Sequence, residues 1–543
     1  MSRYTPLPIV QPALKRIPRQ YQYRPFAVYD RQTGQVCASH TEGRVIAAQS
    51  DAPASHMLEW AMRPALGSLR PQTIWLTGGT FATDRPPPEW WREPLVAGYT
   101  ITRWQTKPWR VTYRHPGHDT TCDLAVMAPW FGDEHEAAQC YRAWHELAFE
   151  LRRRFDSHAT LLSTPAATGM DLLERSLPVE RCADPHQLGG VTLRAVEYPP
   201  VSPEIQELLV EHFGQGRVEC VAPPKLHAVP ALYVYDARWQ YAACCSHLPI
   251  GPWVCDDVPD LASYRVGFYR VDAQVPRDWR HIGLIGMRSA DEGGRRVWPR
   301  SPGQWIRDAW VTSAELDVAM RIAGWDVAIK ERVLAQPDGA TRYSDPSRVW
   351  VRELRSLREQ TSSELVARAT RHLLIDAIGS WWRRDTRRHE MLPHDRAGDV
   401  PREADDLIVQ PWGIEYTVPA PLSRDQRAHY RPEWAATVWG RALARTHKRA
   451  LAVPYDQLVW VRSDSVVTSR EMVDWHDTGQ VGAWRIKHAI GANPARVEQL
   501  PVPRDETAYR RLWRFAQSEL GAVEIVSAGD EGEEEGGESH GAE

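Results

Sequence analysis

Apolar positions along this chain follow two periods. In HEAAQCYRAWHELAFELRRRF (His135 to Phe155) they recur every three or four residues, which predicts an amphipathic helix. The same spacing predicts helices in EIQELLVEHFG (204–214), in TSAELDVAMRIAGW (312–325) and in PEWAATVWGRALARTHKRAL (432–451). Thr312 and Glu315 form a capping-box pattern at the start of the second of these stretches. Between the helices, YRPFAVYDRQTGQV (23–36) alternates like a strand leading into a turn, and ALYVYD (231–236) reads as a strand that ends on a carboxylate. VWVRSDSVV (459–467) reads as two short strands, because Val459, Trp460, Val461, Val466 and Val467 are strand-formers around the polar tip Arg462-Ser463-Asp464. VEYPPVSP (196–203) reads as a linker, and 349–384 as a long helical block studded with arginine. The fold class expected is mixed α/β of the α+β kind, and 543 residues give room for two to four domains.

Charge changes this picture. The net charge of −4 conceals a tail, 529–543, whose seven acids leave the rest of the chain at +3. That tail offers almost nothing to bury and is expected to be disordered. Only six of the 66 basic residues are lysine, and arginine's planar fork suits phosphate. Coding bias towards GC explains such enrichment equally well, so the composition permits nucleic-acid binding without pointing to it. No run of 18 apolar residues and no signal-type apolar core is present, so a cytoplasmic protein without a membrane partner is expected. The eight cysteines form no CxxC pair, which argues for reduced thiols and against structural zinc.

The candidate chemistry lies in an order of parts: a strand ending in Asp236, then an arginine-rich helical block, then a hairpin carrying Asp464. Transfer of a nucleotidyl group by two metal ions needs carboxylates from separate strands and cations for the triphosphate. Taken one at a time, each part also reads as ordinary structure: a solvated turn, or a helix with a basic face.

In that order the segments resemble family B DNA polymerases, the protein-primed branch of phages, linear plasmids and mobile elements. LYVYDARWQYAACCSHLPIGP (232–252) is similar to the first palm motif, D-x-x-S-L-Y-P. The resemblance implies that Asp236 is a metal ligand, that Ala237 offers a backbone carbonyl, and that Tyr241 packs under the sugar; Trp239, Gln240 and Ala242 depart from the pattern. RHLLIDAIG (371–379) is similar to K-x-x-x-N-S-x-Y-G, with Arg371 at the phosphate-binding lysine, Gly379 at the closing glycine, and Ile375 and Ile378 in place of Asn and Tyr. VWVRSDS is similar to Y-x-D-T-D-S: Asp464 stands at the main metal ligand and Arg462 at the more peripheral acid. HFGQGRVEC (212–220) looks like the Y-x-G-G-R motif that contacts template, carrying Gly216 and Arg217. GAWRIK (482–487) sits where a primer-end lysine, here Lys487, is expected. Two further stretches, 267–276 and 310–327, resemble the insertion between the first two motifs. Arg368, Arg383 and Arg384 are candidate DNA contacts on the helical block, and SWWRRDTRR (380–388) could track a single strand by stacking and charge.

The N-terminal third resembles a proofreading exonuclease whose acids have eroded. Asp30 is kept in VYDRQTG, but Gln32 replaces Glu, Thr77 and Ala82 replace Asn and Asp in WLTGGTFA, and His145 follows Tyr141 where an acid is expected. A packed αβ domain without that ancestry reads the same residues. The division implied is an inactive RNase H-like exonuclease-type domain at 1–195, a first palm part at 196–345, fingers at 346–395, and a second palm part at 396–490. A reduced thumb at 491–528 and the tail at 529–543 complete it. The implied activity is template-directed DNA synthesis without proofreading, with two Mg²⁺ or Mn²⁺ ions, primer–template DNA and dNTPs as partners, and a priming or clamp protein to offset the short thumb. A polymerase-derived DNA-binding protein without catalysis stands as the alternative.

Overall fold

The computed structural model describes residues 12–515 except 22–23, 39–44, 48–53, 62–69, 79–97, 107–108, 116–119, 133, 184–189, 215, 257–265, 290–293, 337–344, 383–385, 393, 411–412, 421–426, 473–474, 476–477 and 492–498. The chain divides into two compact units, each assembled from separated stretches of sequence.

The first unit takes in Ile17–Ser176 and Arg352–Tyr430. Its centre is a seven-stranded sheet of β1 (Phe26–Asp30), β2 (Gln35–Ala38), β3 (Val45–Ala47), β4 (Thr73–Thr77), β5 (Thr100–Thr106), β6 (Trp109–His115) and β7 (Thr120–Val126). The order is β3-β2-β1-β4-β7-β6-β5, with β1, β4 and β7 mutually parallel and the outer strands antiparallel. A strand covered on both faces reads as an unbroken apolar run, and FAVYD is buried at every position, its terminal Asp30 included. The stretch 26–36 is therefore a strand, a turn and the start of β2, as its pattern predicts.

Helix Ala137–Arg154 packs on β1 and β2. Glu136 and Gln139 close a capping box at its start, and Arg152, Arg153 and Arg154 meet the negative end of its dipole. Its buried face includes Tyr141, Trp144, Leu147 and Leu151, with the Phe26 ring 5.7 Å from Tyr141 and 5.3 Å from Trp144. Helix Glu364–Ser380, from the arginine-rich block, belongs to this unit and packs along helix Pro165–Ser176. The close approach depends on Gly169, where a Cβ would collide with the carbonyl of Leu373 and the Cβ of Ala377. A three-stranded antiparallel sheet, Thr386–Leu392, Gly413–Ala420 and Asp405–Gln410, carries its own small core of Ile414, Tyr416 and Val418.

The second unit takes in Pro12–Arg16, Leu177–Val351 and Arg431–Glu543. It is built on a five-stranded antiparallel sheet: β8 (Val218–Cys220), β9 (Ala231–Ala237), β10 (Leu458–Arg462), β11 (Ser465–Thr468) and β12 (Trp484–Gly491), in the order β8-β10-β11-β9-β12. One cluster of buried residues joins Tyr235, Val461, Val466 and Trp484 to Ala444 of the long helix Pro432–Leu451 and to a second, four-stranded sheet. Another joins Val234, Trp460, Val467 and Ile490 to Tyr509 and Leu512 of the C-terminal helix Glu506–Phe515. The sheet is thus covered on both faces, which fixes its register.

The capping box predicted at Thr312 is present: Thr312 Oγ1 accepts from Glu315 N (3.3 Å), and Glu315 Oε2 accepts from Thr312 N (3.0 Å). Glu315 is fully buried and pairs with Arg296 at 2.8 Å. The stretch 196–203 is not a loose linker. Tyr198 is fully buried, forms a bridge with Leu14, and its carbonyl accepts from Arg431 Nη1 at 2.7 Å. Among the described residues, no helix is long and apolar enough to cross a membrane.

Candidate functional site

Two acids lie on adjoining strands at one end of the second unit's sheet. β9 and β11 pair so that Asp236 lies opposite Ser465, which puts Asp464, one residue earlier, beside the end of β9. The backbone records the contact, with Ala237 N donating to Asp464 O at 3.4 Å. Asp236 is 8 % exposed and Asp464 is half-buried. Ala237 closes β9, and Trp239 then turns the chain at φ 51, a left-handed conformation costing a non-glycine residue on the order of 1–2 kcal/mol. Tyr241, half-buried, sits in the short helix Gln240–Cys244 that the turn starts.

Buried polar groups from three segments hold the hairpin tip. Gln240 Nε2 lies 2.8 Å from Ala442 O, 3.1 Å from Thr446 Oγ1 and 3.2 Å from Ser463 O, and Thr446 Oγ1 donates to Ser463 O at 3.0 Å. Ser463 Oγ accepts from Arg217 N at 2.8 Å, and Gly216 leaves the room, since a Cβ there would stand 2.7 Å from that oxygen. Such bracing holds side chains in place before any ligand arrives.

Arg485 completes the constellation. It lies directly across from Asp236 in the β9–β12 ladder, and its Nε donates to Asp236 Oδ1 at 3.0 Å, with only 5 % of the residue exposed. Motif matching at GAWRIK singles out Lys487 and passes over Arg485. Lys487 itself is half-buried at a bulge where Val234 faces His488 and Tyr235 faces Ile486. Burial, reinforced by the charges of Lys487 and Arg462, pushes the His488 imidazole down to about 3.

Arg462 is turned to the C-terminal helix, its guanidinium 4.7 Å from the centre of the Tyr509 ring. Trp460, on the same strand, donates its indole N–H to Pro503 O at 2.8 Å, with its ring 5.8 Å from Tyr509. Arg217 does not fit a template contact. Its side chain is fully buried, bound to Glu219 (2.6 Å), Gly283 O (2.8 Å) and His447 Nε2 (2.6 Å), so it braces the interior and offers no surface to a phosphate. Burial pushes the His447 imidazole well below its ordinary value, with Arg217 adding to the effect.

The remaining candidates sit in the first unit. Arg371 is half-buried and Gly379 exposed on helix Glu364–Ser380; Arg368, on the same helix, points at Gly132. Burial, with the charge of Arg368, lowers the His135 imidazole. Trp381 is fully buried, which removes it from any stacking platform; Arg383 and Arg384 lie outside the described residues. Asp30 ends β1 opposite Thr77, and its Oδ1 accepts from Gln32 N (2.9 Å) and Thr33 N (3.1 Å), so the carboxylate closes its own turn. Thr77 donates to His135 O at 2.6 Å, and the His145 ring packs 4.6 Å from Tyr141. Ala82 and the acidic tail lie outside the described residues. Among the described residues, no group of three His, Cys, Asp or Glu side chains is gathered as a metal site.

Comparison with solved structures defines the class as a DNA-polymerase-like fold. The solved structures that the chain matches include those of phi29 DNA polymerase, a protein-primed family B enzyme. With primer–template DNA and incoming nucleotide the TM-score is 0.53, over 86 % of each chain at 10 % identity. With primer–template DNA alone it is 0.51, and with single-stranded DNA 0.50, each at 10 % identity over 86 % of this chain and 85 % of that one. No family model matches the sequence, and no curated protein matches it. The resemblance carried by the ordered motifs is thus borne out in the fold.

Proposed function

We propose that the chain is a template-directed DNA polymerase that builds its site from Asp236 and Asp464 and lacks proofreading. The observation that carries this reading is the bracing of the hairpin. Gln240, Thr446 and the Arg217 backbone, all from buried residues, direct part-buried hydrogen bonds to the half-buried turn next to Asp236. A turn that only had to stay folded would need none of them.

Two carboxylates at adjoining strand ends, with the Ala237 carbonyl, are hard oxygen donors and fit Mg²⁺ or Mn²⁺. When bound, such ions would stabilise charge on the attacking 3′ oxygen and on the leaving pyrophosphate. Arg462 stacks on Tyr509, a cation–π contact that turns its guanidinium towards the C-terminal helix. Tyr241 is proposed to pack under the incoming sugar, Arg371 to bind nucleotide phosphate, and Arg368 to contact DNA. Primer–template DNA and dNTPs are the proposed ligands, and a priming or clamp protein the proposed partner in a cytoplasmic replication system. The strand order β3-β2-β1-β4-β7, parallel from β1 to β7, supports the RNase H-like reading of the first unit. Asp30 is spent on its own turn there, which supports a domain that does not cut.

A second reading rests on one observation. Asp236 is already paired with Arg485, so the same site would suit a polymerase-derived protein that binds DNA without catalysis. Primer extension with Mg²⁺ or Mn²⁺, set beside a DNA-binding titration, separates the two: incorporation that Asp464→Ala abolishes supports the polymerase, and tight DNA binding with no incorporation supports the second reading.

A further inference from the structure

Arg485 is the feature that the motif pattern does not absorb. Its backbone is fixed by the ladder between β9 and β12, and its Nε reaches Asp236 Oδ1 at 3.0 Å with both residues largely removed from water. A guanidinium in that position already supplies the positive charge that a carboxylate in low dielectric requires. A divalent cation approaching Asp236 meets an acid that is neutralised, and a like charge beside it.

We propose that Arg485 is a resident counter-cation of the site, and that a divalent ion binds at Asp236 only as the guanidinium swings away. The inference rests on the reading of Asp236 as a metal ligand, and it deepens that reading. The strand holds the Cα in place while the side chain has the length to move. Once released, the planar fork stands next to the ion and can pair two oxygens of a phosphate, which the compact ammonium of a lysine cannot do in the same way. Metal entry and phosphate binding are therefore linked: each favours the displaced rotamer, and each strengthens the other. The site stays closed to metal alone and opens to metal with a triphosphate.

The test uses the full chain and Mn²⁺ as probe, with bound metal counted by electron paramagnetic resonance. Without nucleotide, Arg485→Gln is expected to bind Mn²⁺ at least tenfold more tightly than the wild type, and adding Asp236→Asn should remove the gain. A non-hydrolysable dNTP analogue should raise Mn²⁺ affinity in the wild type and do so far less in Arg485→Gln. Arg485→Lys keeps the charge and the fold, loosens the pair, and should give a smaller gain in the same direction. It serves as the deciding variant if circular dichroism shows Arg485→Gln unfolded. Unchanged or weaker Mn²⁺ binding in a folded variant overturns the proposal. Because the readout needs no turnover, it stands apart from primer extension. A chain that never extends a primer yet gains Mn²⁺ affinity keeps this inference and loses the polymerase reading, and the reverse pair of results does the opposite.

Discussion

The guanidinium of Arg462 lies over the ring of Tyr509, 4.7 Å from its centre, and ties the catalytic-type hairpin to the C-terminal helix. Arg462 thus acts as a strut between the hairpin and that helix. A partly desolvated cation–π contact contributes about 0.5–2 kcal/mol. Arg462→Ala is expected to lower stability by about that amount. A double-mutant cycle with Tyr509→Leu in urea unfolding should show coupling between the two; additive losses would mean that the contact carries no energy.

Gln240 stands where the family pattern has leucine, and the reason is the hairpin. Gln240→Leu keeps the volume but removes the amide donor that the Ser463 and Ala442 carbonyls share with Thr446 Oγ1, a loss of about 0.5–1.5 kcal/mol. Primer extension should fall further than stability does, because the turn that presents Asp464 is loosened. The check is denaturant unfolding beside single-turnover incorporation. Equal rates in both proteins would deny the hairpin its brace.

Gly169→Ala tests the packing of helix Glu364–Ser380. The added methyl would meet the Leu373 carbonyl, which does not yield as a side-chain end would. Overpacking of this kind costs about 1–3 kcal/mol, read as a lowered midpoint in thermal or urea unfolding.

Acid should destabilise the protein in part through His488. In the folded chain burial, with the Lys487 and Arg462 charges, holds its imidazole down at about 3, while in the unfolded chain it titrates near 6.5. The unfolded state alone takes up the proton between those values, so the contribution is complete above about pH 6.5 and is lost as pH falls towards 3, at up to about 1.4 kcal/mol per pH unit. His488→Gln should flatten the unfolding free energy over pH 4–6.5; an unchanged slope would show that the imidazole is protonated in the fold.

Much of the second unit is legible in the sequence. The alternation of ALYVYD, the strand-formers flanking Arg462-Ser463-Asp464, and the Thr312 capping box are local patterns, and each formed the predicted element. What escaped was set by partners far away in sequence. Arg485 and Asp236 are 249 positions apart, and only strand pairing makes them neighbours. Arg217 reads as a surface cation until Glu219 and His447 enclose it, and Trp381 reads as a stacking ring until it enters the core. A side chain's type is written in the sequence, but its burial depends on the whole fold. That is why arginines were the least readable residues in this chain.

The central claim is that Asp236 and Asp464 still work together as a polymerase site. Primer extension on a defined primer–template with Mg²⁺, and again with Mn²⁺, tests it most directly, comparing the wild type with Asp464→Ala and Asp236→Ala at matched DNA occupancy. The account predicts template-directed incorporation by the wild type and its loss in both variants, with DNA affinity unchanged within a few-fold. Wild-type protein that holds the primer–template and adds no nucleotide with either metal would contradict it.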